Sequence, residues 1–159
     1  MDGYNAGTII FDFLRDGSPH DLVLIEMGGP EMYYNHGWCK TLERMDRDMR
    51  VLRFWPLTKR CGYWGESPVK QARMRYEQAK FRNQTDGCSL EEFMSNPRIR
   101  LIGGEPDPNR RLLLFDELIE EGCTIRSCGM DFLSMGYPME SISANSAAMV
   151  YPLSNWMKP

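Results

Sequence analysis

Several features that mark particular protein classes are absent from this sequence. No apolar run approaches the roughly 20 residues that a membrane-spanning helix needs. The N-terminal segment MDGYNAGTII carries no basic stretch of the kind that opens a secretion signal. We therefore expect a cytoplasmic protein with no membrane partner. The sequence also contains no internal repeat and no low-complexity segment, which argues against a solenoid or a disordered chain.

Metal-binding residue types are few, and their spacing is poor. The chain has two histidines, His20 and His36, and five cysteines that form no C-x-x-C pair. These cysteines are Cys39, Cys61, Cys88, Cys123 and Cys128. A zinc site from His36, Cys39 and Cys61 can be drawn, but it lacks a clear fourth ligand. Without a secretion signal, an odd number of cysteines favours reduced thiols over disulfides.

What is present fits one globular domain. The chain has 159 residues, of which 42% are hydrophobic and 26% charged, close to ordinary globular usage. This length and composition suffice to bury a core. We expect a single α/β domain over 1–159, with an N-terminal hairpin region at 1–37, βα repeats at 50–128 and an irregular C-terminal segment at 129–159.

The charges are distributed unevenly along the chain. Twelve Lys or Arg and five Asp or Glu lie between Lys40 and Arg82, although the whole chain has a net charge of −3. This basic segment is either a patch for an anionic ligand, nucleic acid or protein partner, or a surface that the acidic remainder neutralises. Its cations alternate with aromatic residues, as in proteins that bind single-stranded nucleic acid. The candidate contact residues are Lys59, Arg60, Tyr63, Trp64, Arg73 and Lys80.

Local patterns predict four strands besides those of the segment from residue 98 onward. The segments Thr8–Leu14 and Asp21–Met27 are rich in β-branched and aromatic residues and favour a hairpin or two neighbouring strands. The run Val51–Trp55 favours a short buried strand that ends at Pro56. A last strand is predicted at Ala147–Tyr151.

Three helices are predicted before residue 97. Apolar residues at helical spacing favour a helix around Thr41–Arg50. Ser67 followed by Pro68 is a good helix start, which predicts a helix over 67–82. Ser89 and Glu92 form a capping box, so a short helix is expected to begin there and to end near Pro97.

The segment from residue 98 onward is predicted to be a βαβ unit. It consists of a strand at Arg98–Ile102, a helix from Asp107 to about Glu121 that stops at Gly122, and a strand at Thr124–Ser127. Together the elements predict a three-layer α/β domain with a mixed, partly parallel sheet of five or six strands.

One loop in this unit is a candidate ligand site. Gly103, Gly104, Glu105 and Pro106 follow the predicted strand, and ligands of α/β sheets bind outside the carboxyl ends of strands. Two glycines allow a close approach of the backbone, and Glu105 offers a carboxylate to an amine. The alternative is a glycine turn that only joins a strand to a helix.

The segment around this loop resembles the radical S-adenosylmethionine (SAM) superfamily. SLEEFMSNPRIRLIGGEPDPNRRLLLFDELIEEGCTIR is similar to the repeat in which a GGEP motif meets the amino group of SAM, and RVLRFWPLTKRC is similar to the strand that enters the cluster-binding loop. The resemblance covers about Arg50–Ser127 and implies a truncated half-barrel. It also implies SAM bound at Gly103–Pro106 and a [4Fe–4S] cluster ligated by Cys61.

The chain departs from this family at the cluster motif. The family pattern C-x3-C-x2-C begins here at Cys61, but its second and third positions hold Gly65 and Pro68, which have no side-chain ligand for iron. The sequence therefore predicts a non-catalytic binding or assembly module that contacts a small ligand or protein partner through the Gly103–Pro106 loop and the basic face. The alternatives are a SAM-dependent Fe–S enzyme with atypical ligation and a nucleic-acid-binding protein that uses the segment 40–82.

Overall fold

The computed structural model describes residues 19–26, 49–58, 67–116, 122–146 and 149–157. Among these residues six strands form one sheet. The strands are β1 (His20–Ile25), β2 (Met49–Phe54), β3 (Leu101–Ile102), β4 (Arg111–Phe115), β5 (Ile142–Ser146) and β6 (Met149–Pro152). The helices are α1 (Pro68–Phe81), α2 (Leu90–Ser95), α3 (Pro97–Arg100) and α4 (Cys123–Ser134).

The sheet has a parallel centre and antiparallel edges. The strand order is β3-β2-β1-β4-β5-β6. β1 pairs in parallel with both β2 and β4, and β4 pairs in parallel with β5. β3 and β6 are the antiparallel edge strands. The predicted α/β class with a mixed sheet is therefore confirmed, but the half-barrel that the family resemblance implies is not.

The two central strands are buried along almost their whole length because both faces of the sheet are covered. β1 reads HDLVLI, and every one of its residues is buried. In β4 the run from Leu112 to Phe115 is also buried. Parallel strands covered on both faces have such continuous apolar runs instead of an alternating pattern.

Helices lie against both faces of this sheet. On one face Ile125, Cys128 and Phe132 of α4 join a core with strand residues that include Val23 and Leu114. Their spacing of three and four residues puts them on one side of the helix. α1 belongs to a second cluster, in which Ala79 packs with Trp55, the residue after β2, and with Phe93 of α2. The domain therefore has three layers.

Two of the three helix starts predicted before residue 97, those at Ser67 and Ser89, are confirmed. The hydroxyl of Ser67 accepts a hydrogen bond from the amide of Lys70, and Pro68 occupies the first turn of α1. Ser89 and Glu92 form both hydrogen bonds of a capping box at α2. These caps depend only on neighbouring residues, so their sequence signal is strong.

The predicted helix from Asp107 to Glu121 is wrong. Its first residues form a turn closed by a hydrogen bond from the Arg110 amide to the Asp107 carbonyl. The chain then continues as β4, Arg111–Phe115. The leucines at 112 to 114 match a helix face and a buried strand equally well, and burial between β1 and β5 decides for the strand.

The strand predicted at Thr124–Ser127 is also wrong, because these residues belong to α4. Gly122 has the expected left-handed backbone, with φ of +78°, and it directly precedes α4. Of the strand predicted at Arg98–Ile102, only β3 is extended, since Pro97 begins the short helix α3. The expected βαβ unit is therefore not formed by this segment.

The remaining predictions have mixed outcomes. β1 and β2 confirm the strands expected at Asp21–Met27 and Val51–Trp55, and β6 confirms most of the strand at Ala147–Tyr151. The last 30 residues, expected to be irregular, contain β5 and β6. The strand at Thr8–Leu14 and most of the helix at Thr41–Arg50 lie outside the described residues, and Met49 and Arg50 begin β2.

Candidate functional site

The order of the strands creates a switch point between β1 and β4. The chain passes from β1 to β2 on one side and later returns to place β4 on the other side of β1. In open α/β sheets, ligands bind outside the carboxyl ends of the strands at such a reversal. The register pairs Leu24 with Phe115. Glu26 and Asp116 therefore lie just past the last paired residues of the two strands.

Glu26 is a buried carboxylate held between two arginines. Its side chain has no exposed surface, and its Oε2 lies 3.3 Å from Nη1 of Arg82, which follows α1. Its Oε1 lies 3.9 Å from Nη1 of Arg53 in β2. The amide of Glu26 donates to the carbonyl of Phe54, which extends the ladder between β1 and β2. The site therefore combines one carboxylate with two partly exposed guanidinium groups.

Trp55 supports the arginine from α1 at this end of the sheet. The guanidinium carbon of Arg82 lies 5.5 Å from the centre of the Trp55 ring, a cation–π distance. The indole of Trp55 donates to Oε1 of Gln84 at 2.8 Å. These contacts fix the position of Arg82 against the end of β2.

Asp116 is positioned through its backbone. The amide of Asp116 donates to Oδ1 of Asn145 at 2.8 Å, and Nδ2 of Asn145 donates to the Asp116 carbonyl at 2.5 Å. Both residues are buried. The side chain of Asn145 thus replaces a pair of backbone ladder bonds and fixes the ends of β4 and β5 relative to each other.

Arg100, the last residue of α3, connects three other parts of the fold through its side chain. Its guanidinium donates to the carbonyl of Phe93 and to that of Trp55, and pairs with Asp131 of α4 at 2.8 Å. The side chain of Arg100 is only 1% exposed. A buried arginine with several acceptors is stable because its charge is paired and hydrogen-bonded.

A second carboxylate cluster lies at the amino edge of the sheet. Asp21 is fully buried and accepts from Arg50 through both Nε and Nη2, at 2.8 and 2.7 Å. Arg110 donates to the same carboxylate at 2.7 Å and to the carbonyl of His20. The hydrogen bond with Asp21 raises the pKa of Arg50. β1 therefore carries one buried acid near each end.

The Gly103–Pro106 loop lies at this amino edge and not at the carboxyl ends of the parallel strands, where the predicted βαβ unit would have put it. β3 runs antiparallel to β2 and pairs with Arg53 and Phe54 near the end of that strand, so the chain that follows β3 runs back toward the start of β2. Gly103 has φ of +103°, and a Cβ on Gly104 would lie 3.1 Å from a methyl of Leu52. Arg50 also donates to the carbonyl of Glu105. These contacts account for both glycines as a turn packed against β2.

The other residues predicted as contacts are separated. Arg73 and Lys80 lie on the exposed side of α1. The remaining candidates, Lys59, Arg60, Cys61, Tyr63 and Trp64, lie outside the described residues, as do His36, Cys39 and Gly65. Arg82, two residues after Lys80, lies at the carboxyl edge of the sheet, whereas the Gly103–Pro106 loop runs to the amino edge. Six-residue strands, which span about 17–20 Å, separate these two edges. The loop and the exposed side of α1 therefore do not form one continuous site.

The thiols differ from the expectation of five reduced cysteines. Cys88 and Cys128 are free, whereas Cys123 is disulfide-bonded, with the other half of that bond outside the described residues. Burial raises the pKa of the Cys88 thiol, and the nearby Glu92 carboxylate adds to this effect. Within the described ranges, no three His, Cys, Asp or Glu side chains are grouped to hold a metal ion. The helices described here include none long and apolar enough to cross a membrane.

Sequence reasoning missed most of the residues at the carboxyl edge. The sequence allows Asp12 and Glu26, near the ends of two predicted strands, to be drawn as a pair of metal carboxylates, but Asp12 lies outside the described residues. Sequence reasoning did not single out Arg53, Asp116 or Asn145. One local signal was available, since Glu26 and Asp116 each follow an apolar run at once. No local signal in the sequence shows that the strands preceding these two residues lie side by side.

Comparisons with known proteins add no relative. No family model matches the chain, and neither the curated proteins nor the solved structures include a significant match. The resemblance to the radical-SAM superfamily rests on the sequence motif alone.

Proposed function

We propose that this chain is a binding module that takes a small ligand at the carboxyl edge of the sheet, between β1 and β4. The observation that carries the proposal is the reversal of strand order beside β1. It places two buried carboxylates, Glu26 and Asp116, at the edge where α/β sheets bind their ligands. The proposal contains no catalytic step.

The chemistry of the edge favours a nucleotide-like ligand. Carboxylates accept hydrogen bonds from hydroxyl and amino groups, as acidic residues at such edges do from a ribose. Arg53 and Arg82 share one carboxylate, and the guanidinium group has the geometry and charge suited to a phosphate or carboxylate group. A ligand with hydroxyl groups and a negative charge suits both the carboxylates and the arginines of this edge. SAM, which the family resemblance implies, carries hydroxyl, amino and carboxylate groups and is included among the probes.

The alternatives from the sequence receive less support. Cys61 lies outside the described residues, so an Fe–S enzyme is supported only by the sequence motif. The Gly103–Pro106 loop has a packing role against Leu52 and Arg50. The carboxyl edge is therefore the better place to test for a ligand.

The test is thermal unfolding of the full chain with ATP, AMP or SAM, followed by calorimetric titration of any probe that stabilises it. A ligand present at about 100 times its dissociation constant adds roughly 2.7 kcal/mol to the stability of the native state. For a chain of this size we expect a rise of about 5–10 °C in the unfolding temperature. If none of the three probes raises it, the proposed ligand class is wrong.

The variant Glu26→Gln locates the site, and Asp21→Asn is its matched control. Both replace a fully buried carboxylate of β1 that pairs with two arginines, so both are expected to lower stability by a few kcal/mol. Only Glu26 lies at the carboxyl edge. We expect Glu26→Gln to weaken binding by about tenfold or more and Asp21→Asn to leave it within about twofold, since a lost charged hydrogen bond costs about 1.5–3 kcal/mol. Equal losses in both variants would refute the placement.

A milder variant tests the same site if the Glu26→Gln protein fails to fold. Asp116→Asn keeps the backbone hydrogen bonds with Asn145 and changes only the side chain of Asp116. We expect this variant to bind the same probe more weakly. Unchanged binding would place the ligand away from the switch point.

A further inference from the structure

The outward side of α1 exposes large apolar residues that the described part of the chain leaves uncovered. Phe81 is 89% exposed, Val69 55% and Met74 43%. The opposite side of the same helix is packed, with Ala72 and Ala79 nearly inaccessible. Scattered apolar residues are normal on a protein surface, but three on one face of a 14-residue helix form a ridge.

Cations lie among these apolar residues. Lys70, Arg73 and Lys80 are exposed on the same side of α1, and the first turn of the helix contains no acid. At 100° per residue, the three cations and three apolar residues fall within about 140° of the helix circumference. Glu77, the one acid of α1, is also exposed and lies near the middle of this arc, so the three cations exceed the acids there by two. We call this surface, made by Val69, Lys70, Arg73, Met74, Lys80 and Phe81, the outer face of α1.

We propose that the outer face of α1 docks an acidic amphipathic segment of a protein partner. Charge complementarity identifies the occupant, because carboxylates pair with Arg73 and Lys80 while apolar side chains cover Phe81 and Met74. Packing an amphipathic helix against an apolar surface is a common recognition mode. Exposed aromatic side chains such as Phe81 are typical of the residues that dominate binding energy.

Nucleic acid and membrane surfaces fit this face less well. Phosphates pair with the cations, and a base can stack on Phe81, but neither covers the aliphatic Val69 and Met74. Three cations contribute only about 3 kcal/mol at an anionic bilayer, which gives marginal binding. An acidic amphipathic segment satisfies the charged and the apolar residues together.

The dimensions of the face predict a weak contact. α1 has 14 residues, so it is about 21 Å long at 1.5 Å per residue. One side of a helix of this length buries less than the ~1,200 Å² that marks the lower limit of stable interfaces. The contact is therefore of the transient kind. It involves neither Glu26 nor Asp116 and does not depend on the proposed ligand.

The probe is a synthetic helical peptide of about 16 residues, long enough to cover α1, with leucines on one face and glutamates beside them. Its counterpart has lysine in place of every glutamate. Binding to the full chain is followed by fluorescence anisotropy at several salt concentrations. We expect the acidic peptide to bind, the lysine peptide not to bind, and affinity to fall with added salt because exposed charges are screened.

Surface variants connect this binding to the outer face. Phe81→Ala and the double variant Arg73→Glu with Lys80→Glu are each expected to weaken peptide binding about tenfold. Met130→Ala and Arg98→Glu are matched controls, because Met130 is 57% exposed on α4 and Arg98 is an exposed cation on α3. The controls are expected to bind within about twofold of the unchanged protein. All five substituted residues are exposed, so the variants are expected to fold.

Two further probes test the other possible occupants of the outer face of α1. Oligothymidylate tests single-stranded nucleic acid, and vesicles of phosphatidylserine and phosphatidylcholine test a membrane surface. Stronger binding of either probe, lost in Phe81→Ala or in the charge-reversal variant, would replace the protein partner as the occupant. Failure of the acidic peptide to bind, or equal losses in the control variants, would overturn the proposal. None of these results affects the nucleotide titrations, so the two proposals fail separately.

Discussion

Two buried acids on one strand are the clearest feature at the scale of single residues. Asp21 and Glu26 each pair with one arginine from β2 and one from elsewhere, Arg110 and Arg82. A slip of β1 by one residue would turn its whole side-chain pattern to the other face and break these pairs. Buried ion pairs contribute uncertain net stability, but removal of one member is costly. We infer that these pairs fix the register of β1 against β2.

Tyr137 gives a prediction that depends on pH. Its hydroxyl accepts a hydrogen bond from the Asp107 amide at 2.8 Å and holds the turn that precedes β4. Tyr137→Phe is expected to lower the free energy of unfolding by about 1 kcal/mol near neutral pH, because that amide loses its partner. Urea unfolding measures this loss.

The pH dependence follows from the direction of the shift. Burial raises the pKa of Tyr137, although the hydrogen bond from Asp107 opposes this. The native state therefore keeps its proton at pH values where the unfolded state loses it. The contribution of Tyr137 is constant below the unfolded pKa of about 10 and declines as pH rises above it. Tyr137→Phe is expected to reduce that decline, and identical slopes above pH 10 in the two proteins would contradict this account.

At the scale of elements, the close packing of α4 depends on Gly129. A Cβ at this position would lie 2.7 Å from Cδ1 of Leu153, in the short helical turn after β6. Gly129→Ala gains about 1 kcal/mol of helix propensity, but it forces the buried Leu153 to move. Overpacking of this kind costs about 1–3 kcal/mol, so we expect a small net loss of stability.

Thermal and urea unfolding of Gly129→Ala check this balance. The control is Met130→Ala, at the next residue of α4, where the side chain is 57% exposed. We expect the control to change stability by less than about 0.5 kcal/mol, as surface substitutions usually do. A Gly129→Ala protein more stable than the unchanged one would show that Leu153 moves at little cost.

At the scale of the whole molecule, stability is expected to be highest in the middle of the sheet. β1 and β4 each have hydrogen-bonded strands on both sides, whereas β3 and β6 each have one. β3 contains only two residues. Opening of an edge strand exposes less apolar surface than opening of a central one, so it needs less free energy.

Amide hydrogen exchange measures this gradient strand by strand. We expect the amides of β1 and β4 to exchange most slowly, near the rate set by global unfolding, and those of β3 and β6 to exchange much faster. Binding at the carboxyl edge would further slow exchange at the ends of β1 and β4. Equal protection of β6 and β1 would contradict the expected gradient.

Local chemistry made part of this structure predictable. The caps at Ser67 and Ser89 depend on residues three positions away, and β1 and β2 have composition that favours strands. The run RLLLF contains no such local signal, because its leucines suit a helix face and a buried strand equally. The residues 123–128 had the same ambiguity, which burial of Ile125 and Cys128 against the sheet resolves.

Composition and short-range hydrogen bonds were enough to predict the α/β class, the start of α1 and the capped α2. The position of β1 between β2 and β4 is visible only in the folded sheet, and it brings Glu26 and Asp116 to one edge while the Gly103–Pro106 loop runs to the other. Pairing of distant strands depends on burial over the whole sheet, which no short segment specifies. The candidate site is a consequence of that pairing, so its position could not be read from any single motif.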